Sequence, residues 1–262
     1  MIFALVTPLI LGWLCGWLVN YLADTLPRTR RLSHPACALC EHPYPWLTYL
    51  AFGACPDCGH RRGFRPWLVQ VAMLSVSLYT WLKPSGMGYW LGILLLTYFL
   101  LVLIIDLEHR LILHPTSIVG AFIALGIGLW LHGWKVTLLG GLGGFGIMFG
   151  LYYLGVLFSR WRARRMRARG LPADEEEALG QGDVILAGIL GLVLGWPLIW
   201  FGLLLGILLG GVVGILLLLS MLFRGHYGKQ ALLVFMPYGP YFILAAFFIL
   251  FLPNWILSVT SR

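Results

Sequence analysis

Two carboxylates stand at the edges of long apolar runs. Asp183 follows Gly180-Gln181-Gly182 and opens the run Val184–Leu190. Asp106 closes the run Leu100–Ile105 and begins Asp-Leu-Glu-His-Arg. A carboxylate beside hydrocarbon is costly, so each position marks a functional site by default. The 77 positions between them place them on separate helices. The glycines at 180 and 182 let the backbone turn sharply or come close to another helix. Two carboxylates sharing a site cannot both ionise easily, and the pair holds a proton near neutral pH. The ionised member can then take a proton from water while the other polarises or protonates a carbonyl. That is amide hydrolysis without a metal or a covalent intermediate. The chain offers no Gly-x-Ser-x-Gly and no His-Glu-x-x-His as a competing arrangement. From the residues alone the same pair could be a proton relay, so a proton-coupled transporter stands as the alternative.

A second kind of chemistry lies nearer the N-terminus. Cys37-Ala38-Leu39-Cys40 and Cys55-Pro56-Asp57-Cys58 form two Cys-x-x-Cys pairs separated by 14 residues. This is the knuckle spacing of a four-cysteine zinc site, and four thiolates with no open position make the zinc structural. A disulfide pair is the alternative, but the loop's charge places it where thiols stay reduced. His34, His42 and His60 lie close enough to replace a ligand and are expected in solvent. Cys15, inside an apolar helix, reads as a small buried hydrophobe.

The frame that positions these groups is a membrane one. The chain is 60% apolar and 11% charged, with a mean hydropathy of +0.88. A soluble domain carries roughly twice that charged fraction. At about 20 apolar residues per crossing, the expected architecture is all-α and polytopic, with about eight spans. These cover 2–22, 67–82, 88–105, 116–131, 136–158, 184–199, 201–222 and 234–257. The first is too long for a signal-peptide core and is expected to be retained. Three parts follow: a first transmembrane helix over 1–23, a small zinc-ribbon-like insert over 24–66, and a multi-helix membrane domain over 67–262. With the N-terminus outside, 15 of the 18 Lys and Arg fall on one side. By the positive-inside rule that side is cytoplasmic, and both aspartates and the cysteines lie on it. The net charge of +8 is thus a topology signal and implies no nucleic-acid partner.

Other features read as packing. Asn20, a polar group in the first span, is expected to make an interhelical hydrogen bond. The glycines of span five and the four-residue stripe Gly202, Gly206, Gly210 and Gly214 allow close helix approach. The basic run Arg160 to Arg169 is expected to anchor at anionic lipid. Asp174-Glu175-Glu176-Glu177 is a solvated loop or an attractor for a cationic substrate segment. Pro237-Tyr238-Gly239-Pro240-Tyr241 bends or breaks the start of the last span.

Taken in order, these motifs resemble the type IV prepilin peptidases, membrane aspartyl proteases with a Gly-x-Gly-Asp signature. The resemblance covers nearly the whole chain. It rests on Gly16, Asn20, Leu26 and Pro27 of the first helix, the double Cys-x-x-Cys insert, and Asp106 with Pro115 following. Gly180-Gln181-Gly182-Asp183 and Pro237-Tyr238-Gly239-Pro240 complete it. What the resemblance implies is cleavage of the short basic leader of prepilins or pseudopilins at the cytoplasmic face of the bacterial inner membrane. Asp106 and Asp183 would be catalytic. Gly180, Gly182, Glu108, Asn20, Pro237 and Gly239 would support them or the substrate. The resemblance also implies methylation of the new N-terminus from S-adenosylmethionine. There Gln70 departs from the family, which usually carries a glutamate shortly after its Tyr-Pro.

Overall fold

The computed structural model describes residues 2–168, 180–223 and 238–252. The chain divides into two units, Met1–Ile118 and Val119–Arg262.

The first unit is built on three helices, α1 (Ile2–Thr29), α3 (Arg65–Leu82) and α4 (Gly88–His109), with a short α2 (Trp46–Leu50) inside the insert. α1 runs seven residues past the expected end of the first span. Its apolar positions Val19, Ala23 and Leu26 keep helical spacing there and join Val69, Leu101, Ile105 and Leu113 in one buried cluster. Buried Ser77 ties the three helices together: its Oγ donates to the carbonyl of Pro8 (2.7 Å) and pairs with the Tyr89 hydroxyl (2.9 Å). Gly16 leaves room for Gln70, whose Oε1 would stand 1.6 Å from a Cβ at that position.

The insert is less regular than a zinc ribbon. Among the described residues it holds the single turn-and-a-half of α2 and one isolated bridge between Ala36 and Pro43, with no strand. Side chains of α1 dock it: Trp17 Nε1 donates to the Leu50 carbonyl (3.1 Å) and the Tyr21 hydroxyl to the Ser33 carbonyl (2.8 Å).

The second unit holds most of α5 (His114–Arg167), then α6 (Gln181–Leu194), α7 (Leu198–Phe223) and α8 (Gly239–Phe251). At 54 residues, α5 would extend roughly 80 Å if straight, against a hydrocarbon core of about 30 Å. It breaks at Gly133, whose φ of 74° and ψ of 171° lie outside the helical range. The expected spans over 116–131 and 136–158 therefore follow one another across a glycine break rather than a polar loop. α5 also continues through Arg160–Arg167, past the expected end of its span at 158. Arg165 lies over the Trp161 ring there, 4.5 Å from its centroid. Arg169, Asp174 to Glu177, Arg224, Lys229 and Pro237 lie outside the described residues.

The glycine stripes do pack helices closely. On α7, a Cβ at Gly206 would stand 2.4 Å from the Phe242 ring of α8, and one at Gly210 3.3 Å from Tyr238 and Tyr241. Gly214 faces nothing within 4 Å.

Among the described residues four helices are long and apolar enough to cross a membrane: Leu5–Thr29, Gly88–His109, His114–Arg167 and Leu198–Ser220. α6 and α8 are apolar but shorter. Exposed side chains along α5 and α7, such as Leu142, Phe149, Leu208, Val212 and Ile215, are apolar. Exposure of that kind on successive helices suits contact with lipid. This is a multi-pass membrane protein.

Candidate active site and metal centre

Asp106 lies in the last turn of α4, still helical, just past the expected end of that span at 105. The helix stops because Arg110 adopts a left-handed conformation (φ 53°), with its N–H donating to the Asp106 carbonyl at 2.9 Å. The preceding Ile105 is buried in the apolar cluster with α1 and α3, which pins this turn in place. Asp106 itself is 4% exposed, and its Oδ2 is buried with no hydrogen-bond partner among the described residues.

Asp183 lies in the first turn of α6 and is 7% exposed. Its N–H donates to the Gly180 carbonyl at 3.1 Å, closing the turn. A carboxylate in a first turn faces the unpaired N–H groups and the positive end of the helix dipole. Gly180 precedes the helix with φ −78° and ψ 142°, ordinary extended backbone, and Gly182 lies inside the first turn. Gly180 therefore adopts a backbone conformation open to any residue. Gly239 begins α8 and is buried, with Pro240 in the first turn, where a proline fits. Asp106 belongs to the first unit and Asp183 to the second.

Glu108 has a different environment from Asp106. It accepts from Arg65 Nη1 of α3 at 2.9 Å. The other end of the same guanidinium, Nη2, reaches Asp24 Oδ1 of α1 at 2.5 Å and Asn20 Oδ1 at 3.5 Å. Asn20 donates in turn to the Pro66 carbonyl (3.2 Å), so it links α1 to α3. The second oxygen of Asp24 accepts from the Tyr49 hydroxyl (2.5 Å) and from Arg62 (3.4 Å), both in the insert. Arg62 lies over the Tyr49 ring, 3.8 Å from its centroid, and donates to the Tyr49 carbonyl. Burial and the Asp24 carboxylate, in that order, push the Tyr49 phenol well above its ordinary value. Against the desolvation of its guanidinium, Asp24 and Glu108 raise Arg65 above its ordinary value. In the sequence Arg62 and Arg65 are two of the basic residues on the expected cytoplasmic side, and Asp24 belongs to no motif. The available signal was a carboxylate directly after an apolar span, the same one that singled out Asp106.

The four cysteines converge. Their Sγ atoms all lie within 4.8 Å of one another, with Cys37–Cys58 and Cys40–Cys55 each at 3.6 Å. Four sulfurs at 2.3 Å from one tetrahedral ion would stand about 3.8 Å apart, so the donor set fits zinc in type, number and spacing. The two knuckles repeat each other. The N–H of Cys37 donates to the His42 carbonyl and that of Cys55 to the His60 carbonyl, both at 2.9 Å. Each motif then turns at a positive φ, 59° at Glu41 and 68° at Gly59. Burial raises the Cys37 thiol, but the N–H groups of Cys40 and Leu39 and the neighbouring sulfurs outweigh it and bring it down to about 6. A thiolate is the form that binds a metal. His42 pairs instead with Asp57 at 2.8 Å, and the imidazole of His34 packs on Trp46. Tyr44 and Tyr49 share a buried cluster with Cys37 and Cys55, so the metal centre and the Asp24 network have a common wall.

Residues 93–215 match the family model described as the type IV leader peptidase family. The matched stretch contains Asp106, Glu108, Gly180, Gly182 and Asp183. It leaves out Asn20, the four cysteines and Gly239. No curated protein and no solved structure matches the chain.

Proposed function

This chain belongs to the type IV leader peptidase family through residues 93–215, and we propose on that premise that it is an aspartic endopeptidase whose dyad is Asp106 and Asp183. The single observation that carries the reading is that the matched stretch contains both aspartates, each buried at the end of an apolar helix. One carboxylate takes a proton from water, and the water oxygen attacks the scissile carbonyl. The other carboxylic acid protonates the leaving nitrogen as the tetrahedral intermediate collapses. Either residue can begin as the base, because coupled carboxylates titrate as a pair.

The substrate in this reading is a prepilin or pseudopilin, cut after its short basic leader at the cytoplasmic face of the inner membrane. The clustering of Arg and Lys on the aspartates' side supports that face. The four cysteines would hold a structural zinc that shapes the insert and takes no part in proteolysis. Methylation of the new N-terminus is a further activity the resemblance implies. S-adenosylmethionine would supply the methyl group, but Gln70 does not fit such a site. It is fully buried, packed under Gly16, and its Nε2 donates to the Trp13 carbonyl at 3.4 Å.

The test is cleavage of a synthetic prepilin in liposomes by the wild type, Asp106→Asn and Asp183→Asn. Loss of product in both folded variants supports the dyad, and cleavage by both overturns it. A wild type that cuts no prepilin but moves protons or cations would favour the transporter.

A further inference from the structure

Arg65 is the point where three helices and the insert meet. Its planar guanidinium holds two nitrogens at fixed separation, so a carboxylate on each sets the spacing of the elements that carry them. One carboxylate is Asp24 on α1 and the other is Glu108 on α4. Asp24 in turn receives Tyr49 and Arg62 from the insert, and Tyr49 packs with Cys37 and Cys55. An unbroken line of contacts therefore runs from the cysteine cluster to the α4 turn that holds Asp106. Arg65, Arg62 and Asp24 have side chains 19%, 11% and 23% exposed. Water screens the Asp24 contacts less than it screens surface pairs, while Glu108, 35% exposed, meets Arg65 nearer the surface.

We propose that Arg65 is a positioning residue that couples the metal-bearing insert to the α4 turn carrying Asp106, so that zinc occupancy and proteolysis depend on each other. The catalytic half of this statement rests on the aspartic-peptidase reading, whereas the coupling itself does not. The last turn of α4 is held by Ile105 in the α1–α3–α4 cluster and, one turn on along the same face, by Glu108 on Arg65. Among the described residues, releasing Arg65 takes the α3 guanidinium away from Glu108 and leaves Asp24 with Tyr49 and Arg62 of the insert. Coupling of this kind is reciprocal: whatever zinc does for α4 through Arg65, the α4 carboxylate does for zinc.

The experiment uses the full-length zinc-loaded protein in liposomes, with Arg65→Lys, Arg65→Met, Glu108→Gln and the Arg65→Met/Glu108→Gln double variant. Two quantities are read: kcat and KM for prepilin cleavage, and the rate at which zinc passes to a colorimetric chelator. Arg65→Met is expected to lower kcat by about 10- to 100-fold while KM stays within about twofold. Arg65→Lys keeps the charge but spans only one carboxylate, so its kcat falls between the two. Glu108→Gln, 43 positions from Arg65 and outside the insert, is expected to speed zinc release by roughly three- to tenfold. The double variant should release zinc no faster than the faster single one.

Unchanged zinc release in Glu108→Gln overturns the proposal, as does additive acceleration in the double variant. Should Arg65→Met fail to fold, Glu108→Gln and Arg65→Lys decide alone. Should the wild type cut no prepilin, the peptidase reading fails on its own, and the zinc-release arm still upholds or overturns the coupling.

Discussion

Gly140 and Gly191 hold α5 and α6 together backbone to backbone: a Cβ on either would stand 2.2 Å from the carbonyl oxygen of the other. The approach extends along the pair. A Cβ at Gly144 would meet the Ala187 carbonyl at 2.3 Å, and one at Gly128 the Leu192 carbonyl at 2.0 Å. Carbonyls cannot rotate away as a side-chain tip can, so the helices would have to separate. Since α6 opens with Asp183, these glycines set where that carboxylate stands in its unit.

Alanine at Gly140 or Gly191 should therefore destabilise the protein by about 1–3 kcal/mol, as overpacking does. Gly146 is on the same helix with nothing within 4 Å of its would-be Cβ, and its alanine variant should be neutral or slightly stabilising. Thermal midpoints of the three variants in one detergent check this. Equal midpoints would mean that the close approach carries no stability.

Asparagine at either aspartate keeps size and most hydrogen bonding but ends the proton chemistry. Each of Asp106→Asn and Asp183→Asn should lower the cleavage rate by about 10²- to 10⁴-fold, with the double variant little worse than the singles. Single-turnover rates on one prepilin, with folding confirmed by chromatography, give the comparison. A double loss equal to the product of the singles would show independent roles rather than a dyad.

The cysteine cluster should hold one equivalent of zinc per chain, measured by elemental analysis of the purified protein. Cys40→Ser or Cys55→Ser should lose it, because a three-thiolate remnant binds far more weakly. Metal removal should expose Tyr44 and Tyr49, which now pack against Cys37 and Cys55, and the change is visible in tyrosine fluorescence. A serine variant that keeps full zinc would exclude that cysteine from the site.

Tyr49 gives a prediction on pH. Its phenol is raised above the ordinary 10.0, by burial first and the Asp24 carboxylate next. A raised value favours the folded state while the group stays protonated. That contribution is fully present below pH 10 and is lost as pH rises through the elevated value. Docking of the insert through Tyr49 should accordingly be constant across the neutral range and loosen only in strong alkali. Tyrosinate absorbance of the wild type against Tyr49→Phe measures it. A Tyr49 that ionises at or below pH 10 would contradict the buried hydrogen bond to Asp24.

Some of this protein was legible in one dimension because the signals are local. The two Cys-x-x-Cys pairs were readable since a knuckle needs only a few neighbouring residues, and the structure repeats one turn at both. Asp106 and Asp183 stood out because a carboxylate bordering an apolar run is anomalous on its own helix, and both are buried in the structure. Membrane character followed from composition alone. What remained hidden depends on residues far apart in sequence. Arg65 meets Asp24 and Glu108 across 41 and 43 positions, and no local pattern distinguishes it from an arginine that merely marks the cytoplasmic side. The break at Gly133 looked like any other glycine in a glycine-rich stretch until its φ was known. Sequence by itself determined which residues can do chemistry, because residue type and short spacing decide that. The tertiary structure alone decided which of them are held and by what, because close approach of helices and buried ion pairs exist only once distant segments pack.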